Sequence, residues 1–484
     1  MKSKSILLTL VSSVLVTACT MTNDAETPEL PMALPEEVGM SSDRLAKVDD
    51  IVAQYIDEGR INGVVIGVTR RGQVVYHKAH GSVDDTTDRS MRLDSLFHMA
   101  SSTKMILGVA AMMAIEDGLM SPSDPVEQYI PEFKGIQVAV STTDGKMTSY
   151  KKKDTVKKQD MVDDKRWDKK DTGEWDKNKA GWDKNKAKKA QADTSKSDKW
   201  KKDKAIQKDK DAVATKKSGN DVKPAGYRME APHRPPTIHD LLTHTAGLQT
   251  GGIGATISGL GRPDSTHSLA TWIPKVAKGP LDFQPGTRWA YSSDVGLDVV
   301  ARIIEIVTET PFNEFVQQRI FDPLDMKDTH WTIPEEKVTR LPKLSNDKGR
   351  SITSPNYFSG SIGLVSTARD FMHFEQMLVN RGTLFGQQLL KPESVDRMTT
   401  NVVGALYKKD KKGAGRGFGY TVNINEDPAR SGDHSPIGSF GGGGVTGTMS
   451  WAAPSEELTF VYMVQGPTDL PVKISRLVTE AIVD

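Results

Sequence analysis

The sequence predicts an α+β fold: an antiparallel sheet flanked by helices, carrying an inserted helical lobe and a Lys-rich insertion expected to be disordered. Three observations lead there. Alternating β runs lie near both ends of the chain, at about 63–81 and 448–465, with amphipathic helices between them. That order suits a sheet closed by its N- and C-terminal segments. The stretch from about 141 to 228 loses every apolar period. Finally, 484 residues are enough for a large core and two lobes.

The first segment reads "MKSKSILLTLVSSVLVTACTMTND". Lys2 and Lys4 precede an apolar run from Ile6 to Val16, too short to anchor as a stable span. It ends in small residues and Cys19, the only cysteine. "VTAC" resembles the lipobox of bacterial lipoproteins, in which the thiol is acylated and becomes the new N-terminus. The expectation is a signal peptide over 1–18, a lipidated Cys19, a polar tether over 19–36 and a folded domain over 37–484, interrupted by the insertion. A plain cleaved secretory signal is the alternative. The lipoprotein reading puts the protein in the bacterial envelope, at the outer membrane and facing the periplasm.

"SSDRLAKVDDIVAQYIDEG" has helical spacing with Ser41 or Ser42 as cap. "GVVIGVTRRGQVVYHKAHG" reads as two strands joined at Arg70 to Gln73. A helix follows from about Ser101, then the Pro-punctuated loop "SPSDPVEQYIPEF". The 141–228 insertion holds Lys, Asp, Asn and Ala, with a Trp-Asp-Lys repeat at Trp167, Trp175 and Trp182. Such a composition buries too little apolar surface to offset chain entropy. Lys charge with spaced Trp also suits an anionic envelope polymer or lipid headgroups as partner.

Order returns at "PPTIHDLLTHTAGL", and "SDVGLDVVARIIEIVTE" and "ARDFMHFEQMLVNRG" are amphipathic helices. Thr367 and Asp370 open the second as a capping box. The tail has two strands around a turn and then the helix "PVKISRLVTEAIV".

The formal net charge of +1 averages two unlike parts. Residues 146–223 carry 26 basic and 15 acidic side chains, leaving 38 basic against 48 acidic elsewhere. An acidic folded part argues against a nucleic-acid partner. No metal-ligand spacing is found among the His residues, and neither metal nor cofactor is expected.

Chemistry concentrates at "FHMASSTKMILGVAAMMAIEDGLM". Ser101 and Lys104, three residues apart, share a helix face, so the amine can reach the hydroxyl. The next ten residues are nearly all apolar, so the helix is expected to be buried. Desolvation then lowers the proton affinity of Lys104 and allows a neutral amine to act as a base. Alone, the pair is equally a capping Ser and a snorkelling Lys; Ser149 and Lys152 fit the same spacing inside the insertion. Two further stretches add weight: "PGTRWAYSSDVG", with Tyr291 and Ser293, and "GSFGGGGVTGT", whose glycines let backbone N–H groups approach a ligand.

In this order, "ASSTK", "PEF", "LLTHTAGL", "PGTRWAYSS", "GSIGLVSTARDF" and "GGGGVTGT" resemble the serine β-lactamase and penicillin-binding-protein superfamily. The likeness is greatest to the β-lactamase-related serine hydrolases, which include class C β-lactamases and family VIII carboxylesterases. It runs from about Leu34 to the C-terminus, outside the insertion. The resemblance implies that Ser101 is the acylated nucleophile, Lys104 its partner and Tyr291 a second proton carrier. The oxyanion hole would be the backbone N–H groups of Ser101 and Val445, with Ser293, Gly442, Gly443 and Gly444 along the substrate. His244 reads as a structural histidine. Two positions depart from the pattern. Ser293 stands where many relatives place Asn, and Gly442 where β-lactamases and peptidases carry Lys and esterases often Trp or His. Without that cation a substrate carboxylate loses an attraction, so a small-molecule ester is the expected substrate. An amide, as in β-lactamase or D-Ala-D-Ala carboxypeptidase-like activity, is the alternative within enzymes. An inactive envelope-binding lipoprotein is the alternative outside them.

Overall fold

The computed structural model describes residues 27–84, 89–142, 226–342, 356–409 and 414–484. Cys19, the signal segment, residues 143–225 of the insertion and the pair Ser149 and Lys152 lie outside the described residues. The chain divides into two units, 1–140 with 228–484, and 141–227. The two ends of the expected 141–228 insertion are strand, at Val138–Ser141 and Tyr227–Glu230.

Helix α1 is Ser42–Asp57, with the Ser41 side chain accepting from the Arg44 N–H. Strands β1 (Gly63–Arg70) and β2 (Gln73–Gly81) follow as the sequence predicts. Next come α2 (Thr103–Glu116), α3 (Ile238–Leu242), α4 (Leu269–Val276), α5 (Gly296–Thr308), α6 (Ala368–Val379) and α7 (Pro392–Thr399). Strands β3 (Arg416–Phe418), β4 (Asn423–Asn425), β5 (Phe440–Gly443), β6 (Met449–Ala453) and β7 (Leu458–Val464) lead to α8 (Leu470–Glu480). The seven strands form one antiparallel sheet in the order β2-β1-β7-β6-β5-β4-β3. N- and C-terminal strands thus pair inside the sheet, one strand in from the β2 edge, in the register Ile66 opposite Tyr462.

Both faces are covered, so β1 and β7 are buried throughout rather than on alternate positions. Val64, Ile66 and Val68 join a cluster with Val48, Val52 and Tyr55 of α1 and Ile474 and Val478 of α8. On the other face Val65 joins the main core, and Gly67 lies under Met372 of α6, whose Sδ is 2.5 Å from where a Cβ would be. Any side chain at 67 would force the Met372 side chain to move.

Helix α2 is buried along its length from Thr103 to Ala114. A helix apolar on all sides is a central one, and this one packs in the main core with residues of α5 and α7. Its start does not follow the alternative of a capping Ser. A 3₁₀ turn, Ala100–Ser102, precedes it, and neither Ser101 nor Ser102 makes a side-chain cap.

Two further expectations change. The stretch up to Glu36 that the sequence presents as a tether is, in its last part, bound to the sheet edge. Val74 donates to Pro31 O (2.8 Å), Ala33 donates to Val74 O (3.0 Å), and Leu30 is buried. Edge-strand pairing supplies this order, which a polar, Pro-containing stretch does not advertise. At α6 only half of the capping box forms. Thr367 Oγ1 accepts from Asp370 N (3.2 Å), whereas the Asp370 carboxylate accepts from Asp328 N and Thr329 Oγ1, each at 2.8 Å. A neighbouring loop competes for the carboxylate and wins.

Candidate active site

The turn carrying Ser101 is strained. Ala100 has φ 45°, a left-handed conformation that costs a residue with a Cβ roughly 1–2 kcal/mol. Contacts from distant segments hold it there. Met99 N donates to Leu364 O (2.8 Å), Thr446 Oγ1 to His98 O (2.6 Å) and Thr448 Oγ1 to Met99 O (3.2 Å). Ser102 Oγ lies 3.3 Å from Thr448 Oγ1. The loop after β5 therefore clamps the residues on both sides of Ser101.

Lys104 is 3% exposed, and its Nζ has three partners: Ser293 O at 2.7 Å, Ser361 O at 2.9 Å and Ser101 Oγ at 3.4 Å. Burial lowers its pKa to about 8, against the pull of the Asp298 and Asp294 charges, which favour the ammonium. Lys104 is buried as the apolar run predicts, and it does not snorkel as in the alternative reading: its amine ends on carbonyls.

Tyr291 is 39% exposed, with Lys104 Nζ 5.1 Å from its ring centroid. Desolvation raises the pKa of the phenol; hydrogen bonding to Ser101 opposes this, while the Asp294 charge adds to it. The phenol is thus held protonated, a donor rather than a phenolate base. Its backbone is fixed by His244, itself left-handed at φ 58°. The His244 carbonyl accepts from Ala290 N (3.0 Å) and its Nδ1 from Ser292 N (3.3 Å), so the two bonds bracket Tyr291. The two rings lie 4.7 Å apart. Burial, then the Lys104 charge, lowers the His244 pKa to about 3, which keeps it neutral.

The glycine segment comes to the same place. In the β5–β6 ladder Gly442 is opposite Ser450 and Gly443 opposite Met449. A tight turn follows, closed by Gly444 N to Thr448 O (2.8 Å) and Gly447 N to Gly444 O (2.9 Å), with Val445 80% exposed at its tip. Among the described residues no protein acceptor bonds the backbone N–H of Ser101 or of Val445. Gly444 has a steric reason: a Cβ there would be 2.3 Å from Met99 O and 2.7 Å from Thr448 Oγ1. At Gly442 a Cβ would meet only Met105 Sδ at 3.7 Å, an ordinary contact, so that position has room for a side chain and carries none.

The structure brings Ser101, Lys104, Tyr291 and the glycine turn together. Ser293 has a further part that the sequence does not show: its carbonyl holds Lys104, and the residue is exposed beside it. Sequence reasoning missed Ser361, Asp298, Thr446 and Thr448. "GSIGLVSTARDF" and "GGGGVTGT" contain three of these, but no local pattern says that a serine carbonyl or a threonine hydroxyl points at a residue hundreds of positions away.

The sequence profile described as Beta-lactamase matches residues 48–146 and 227–482. Esterase EstB of Burkholderia gladioli is 25% identical over 442 residues, covering 84% of this chain and 86% of its own. Lovastatin esterase of Penicillium rubens is 26% identical over 380 residues, covering 74% and 73%. Among solved structures, EstCE1, a hydrolase with promiscuous acyltransferase activity, superposes with a TM-score of 0.63 at 21% identity, over 90% of this chain and 99% of that one. The profile match spans well over half of the residues, on both sides of the insertion, and its first part includes the Ser101–Lys104 turn; this chain belongs to the Beta-lactamase family and is a serine hydrolase of the β-lactamase-related kind.

Proposed function

We propose that the protein is a carboxylesterase that forms an acyl-enzyme on Ser101, with Lys104 as base and Tyr291 as proton donor. One observation carries the reading: the surroundings of Lys104 Nζ. A neutral amine has two N–H bonds and one lone pair. The carbonyls of Ser293 and Ser361 take the two N–H bonds, and the remaining direction faces Ser101 Oγ at 3.4 Å. Contacts of this length in a free enzyme shorten when substrate binds.

The lone pair removes the Ser101 proton as Oγ bonds to the ester carbonyl carbon. The carbonyl π pair moves to oxygen, and the N–H groups of Ser101 and Val445 hold that oxyanion, each worth about 3 kcal/mol. Collapse re-forms the C=O and breaks the bond to the alkoxide, which takes the Tyr291 proton; the ammonium of Lys104 restores the phenol. Water then attacks the acyl-enzyme, with the amine again as base, releasing the acid and Ser101.

Charge and shape favour neutral esters. The charges that act on Lys104 are Asp298 and Asp294, both acidic, and Gly442 offers no cation to a substrate carboxylate. A panel of short-chain p-nitrophenyl esters, nitrocefin and a D-Ala-D-Ala peptide tests this. Ester kcat/KM should exceed the others by about a hundredfold or more, the scale of the roughly 3 kcal/mol that a polar group left without its partner costs. Nitrocefin turnover equal to that of the ester would reverse the assignment to β-lactamase.

We place the enzyme in the bacterial envelope on the strength of "VTAC" at Cys19. Full-length protein should partition into detergent and take up an alkyne fatty acid, whereas Cys19→Ser should do neither. Equal labelling of the two would remove the anchor.

A further inference from the structure

Asp298 is a buried carboxylate for which the reaction just described has no use. It lies in the first turn of α5 and is 1% exposed, with no cation in contact among the described residues. Its Oδ1 accepts from Ser359 Oγ (2.8 Å) and from Ser361 N (2.9 Å), and its Oδ2 from Tyr357 Oη (2.8 Å). All three donors belong to one loop. Ser359 Oγ in turn accepts from Ser361 N and Ile362 N, each at 3.1 Å. Gly360 has no room for a side chain, since a Cβ would be 2.9 Å from Leu107 of α2 and 3.1 Å from Ala301 of α5.

The loop is therefore wedged between α2 and α5, and its shape is dictated by one carboxylate. Ser361 is the link: its N–H goes to Asp298 and its carbonyl to Lys104 Nζ. Carboxylate, peptide and amine form a chain in which each bond polarises the next.

We propose that Asp298 is the positioning residue for Lys104: it sets the 357–361 loop so that the Ser361 carbonyl fixes the amine with its third direction toward Ser101. This rests on the serine-esterase reading and adds to it the group that aims the base. Asp298 acts through Ser361 and touches no substrate. It also acts through charge, since its anion favours the ammonium of Lys104. The other titratable groups facing the amine are Asp294, which acts in the same sense, Tyr291, and His244, which is neutral. Asp298 itself faces Tyr357, whose phenol also feels Glu305 and Asp294. Burial raises the pKa of Asp298 to about 6, so it is charged across the range in which Lys104 titrates.

The test compares Asp298→Asn and Asp298→Leu with the wild type in the full chain. It follows the rate of Ser101 labelling by a fluorophosphonate and the kcat/KM of an ester from pH 5 to 10. Asparagine keeps an oxygen for Ser359 and Ser361 and removes the charge. Its acid limb should move to lower pH by about one unit, the scale of losing one nearby opposite charge. Leucine removes the acceptor as well; kcat should fall by about a hundredfold, the scale of a lost base, with KM within about threefold. A merely structural role would lower Tm in both and leave the limb in place. A folded Asp298→Asn variant with an unmoved limb overturns the proposal, and this holds even if Asp298→Leu does not fold. A wild type that is not labelled at Ser101 overturns the esterase reading and this inference with it, whereas labelling with an unmoved limb overturns the inference alone.

Discussion

Ser101→Ala should reduce ester turnover by at least about a thousandfold while leaving Tm nearly unchanged. The loss is large because every covalent step passes through Oγ; removing a nucleophile leaves only what binding and the oxyanion donors contribute over water. The small effect on stability follows from what Oγ touches. It lies 3.4 Å from Lys104 Nζ and meets the Tyr291 phenol. It caps no helix, because the 3₁₀ turn before α2 has no side-chain cap. The strain at Ala100 and the clamps from Thr446 and Thr448 act on backbone atoms and hydroxyls that the substitution does not alter. Initial rates with a p-nitrophenyl ester, calorimetry and intact mass after fluorophosphonate treatment would check all of this. Residual activity above about 1% in a folded variant, or a phosphonate adduct on it, would place the nucleophile elsewhere.

How much of this was legible in the sequence depends on how far each signal reaches along the chain. The Ser101–Lys104 spacing, the apolar run behind it and the strand pairs at 63–81 and 448–465 are local patterns, and the fold follows them closely. The family motifs fall in sequence order, so the glycine turn and Tyr291 could be assigned to one site before any coordinates. What stayed hidden is long-range pairing between ordinary groups. Lys104 ends on backbone carbonyls of Ser293 and Ser361, and carbonyls carry no residue identity. Asp298 looked like any polar position on an amphipathic helix. The capping box at Thr367 failed because Asp370 found stronger donors in a segment 41 and 42 residues away. Gly444 and Gly442 looked alike in a run of four, yet only the first is sterically required.

Lys104→Met should slow acylation by about 10²–10⁴-fold, the usual contribution of a positioned base, and it should also change how stability depends on pH. In the folded protein the pKa of Lys104 is about 8, chiefly because burial disfavours its charge; unfolded, it returns to 10.5. Between those values the unfolded chain binds more protons than the folded one, so stability rises with pH there. Below pH 8 the wild type bears the full cost of keeping this group in the core, and above 10.5 none of it. The difference is on the order of 3 kcal/mol, from 1.36 kcal/mol per pKa unit. Methionine fills a similar volume without charge and escapes this cost, but it leaves the Ser293 and Ser361 carbonyls without a donor, at about 1–3 kcal/mol each. The two effects nearly offset at neutral pH, where Tm should differ little. From pH 8 to 10.5 the wild type should gain on the variant by the full amount, since other titrating groups are common to both and cancel. Denaturant unfolding of both proteins across that range measures the gap directly. A constant gap would mean that Lys104 keeps an ordinary proton affinity in its core position, and an ammonium that never becomes an amine cannot take the Ser101 proton.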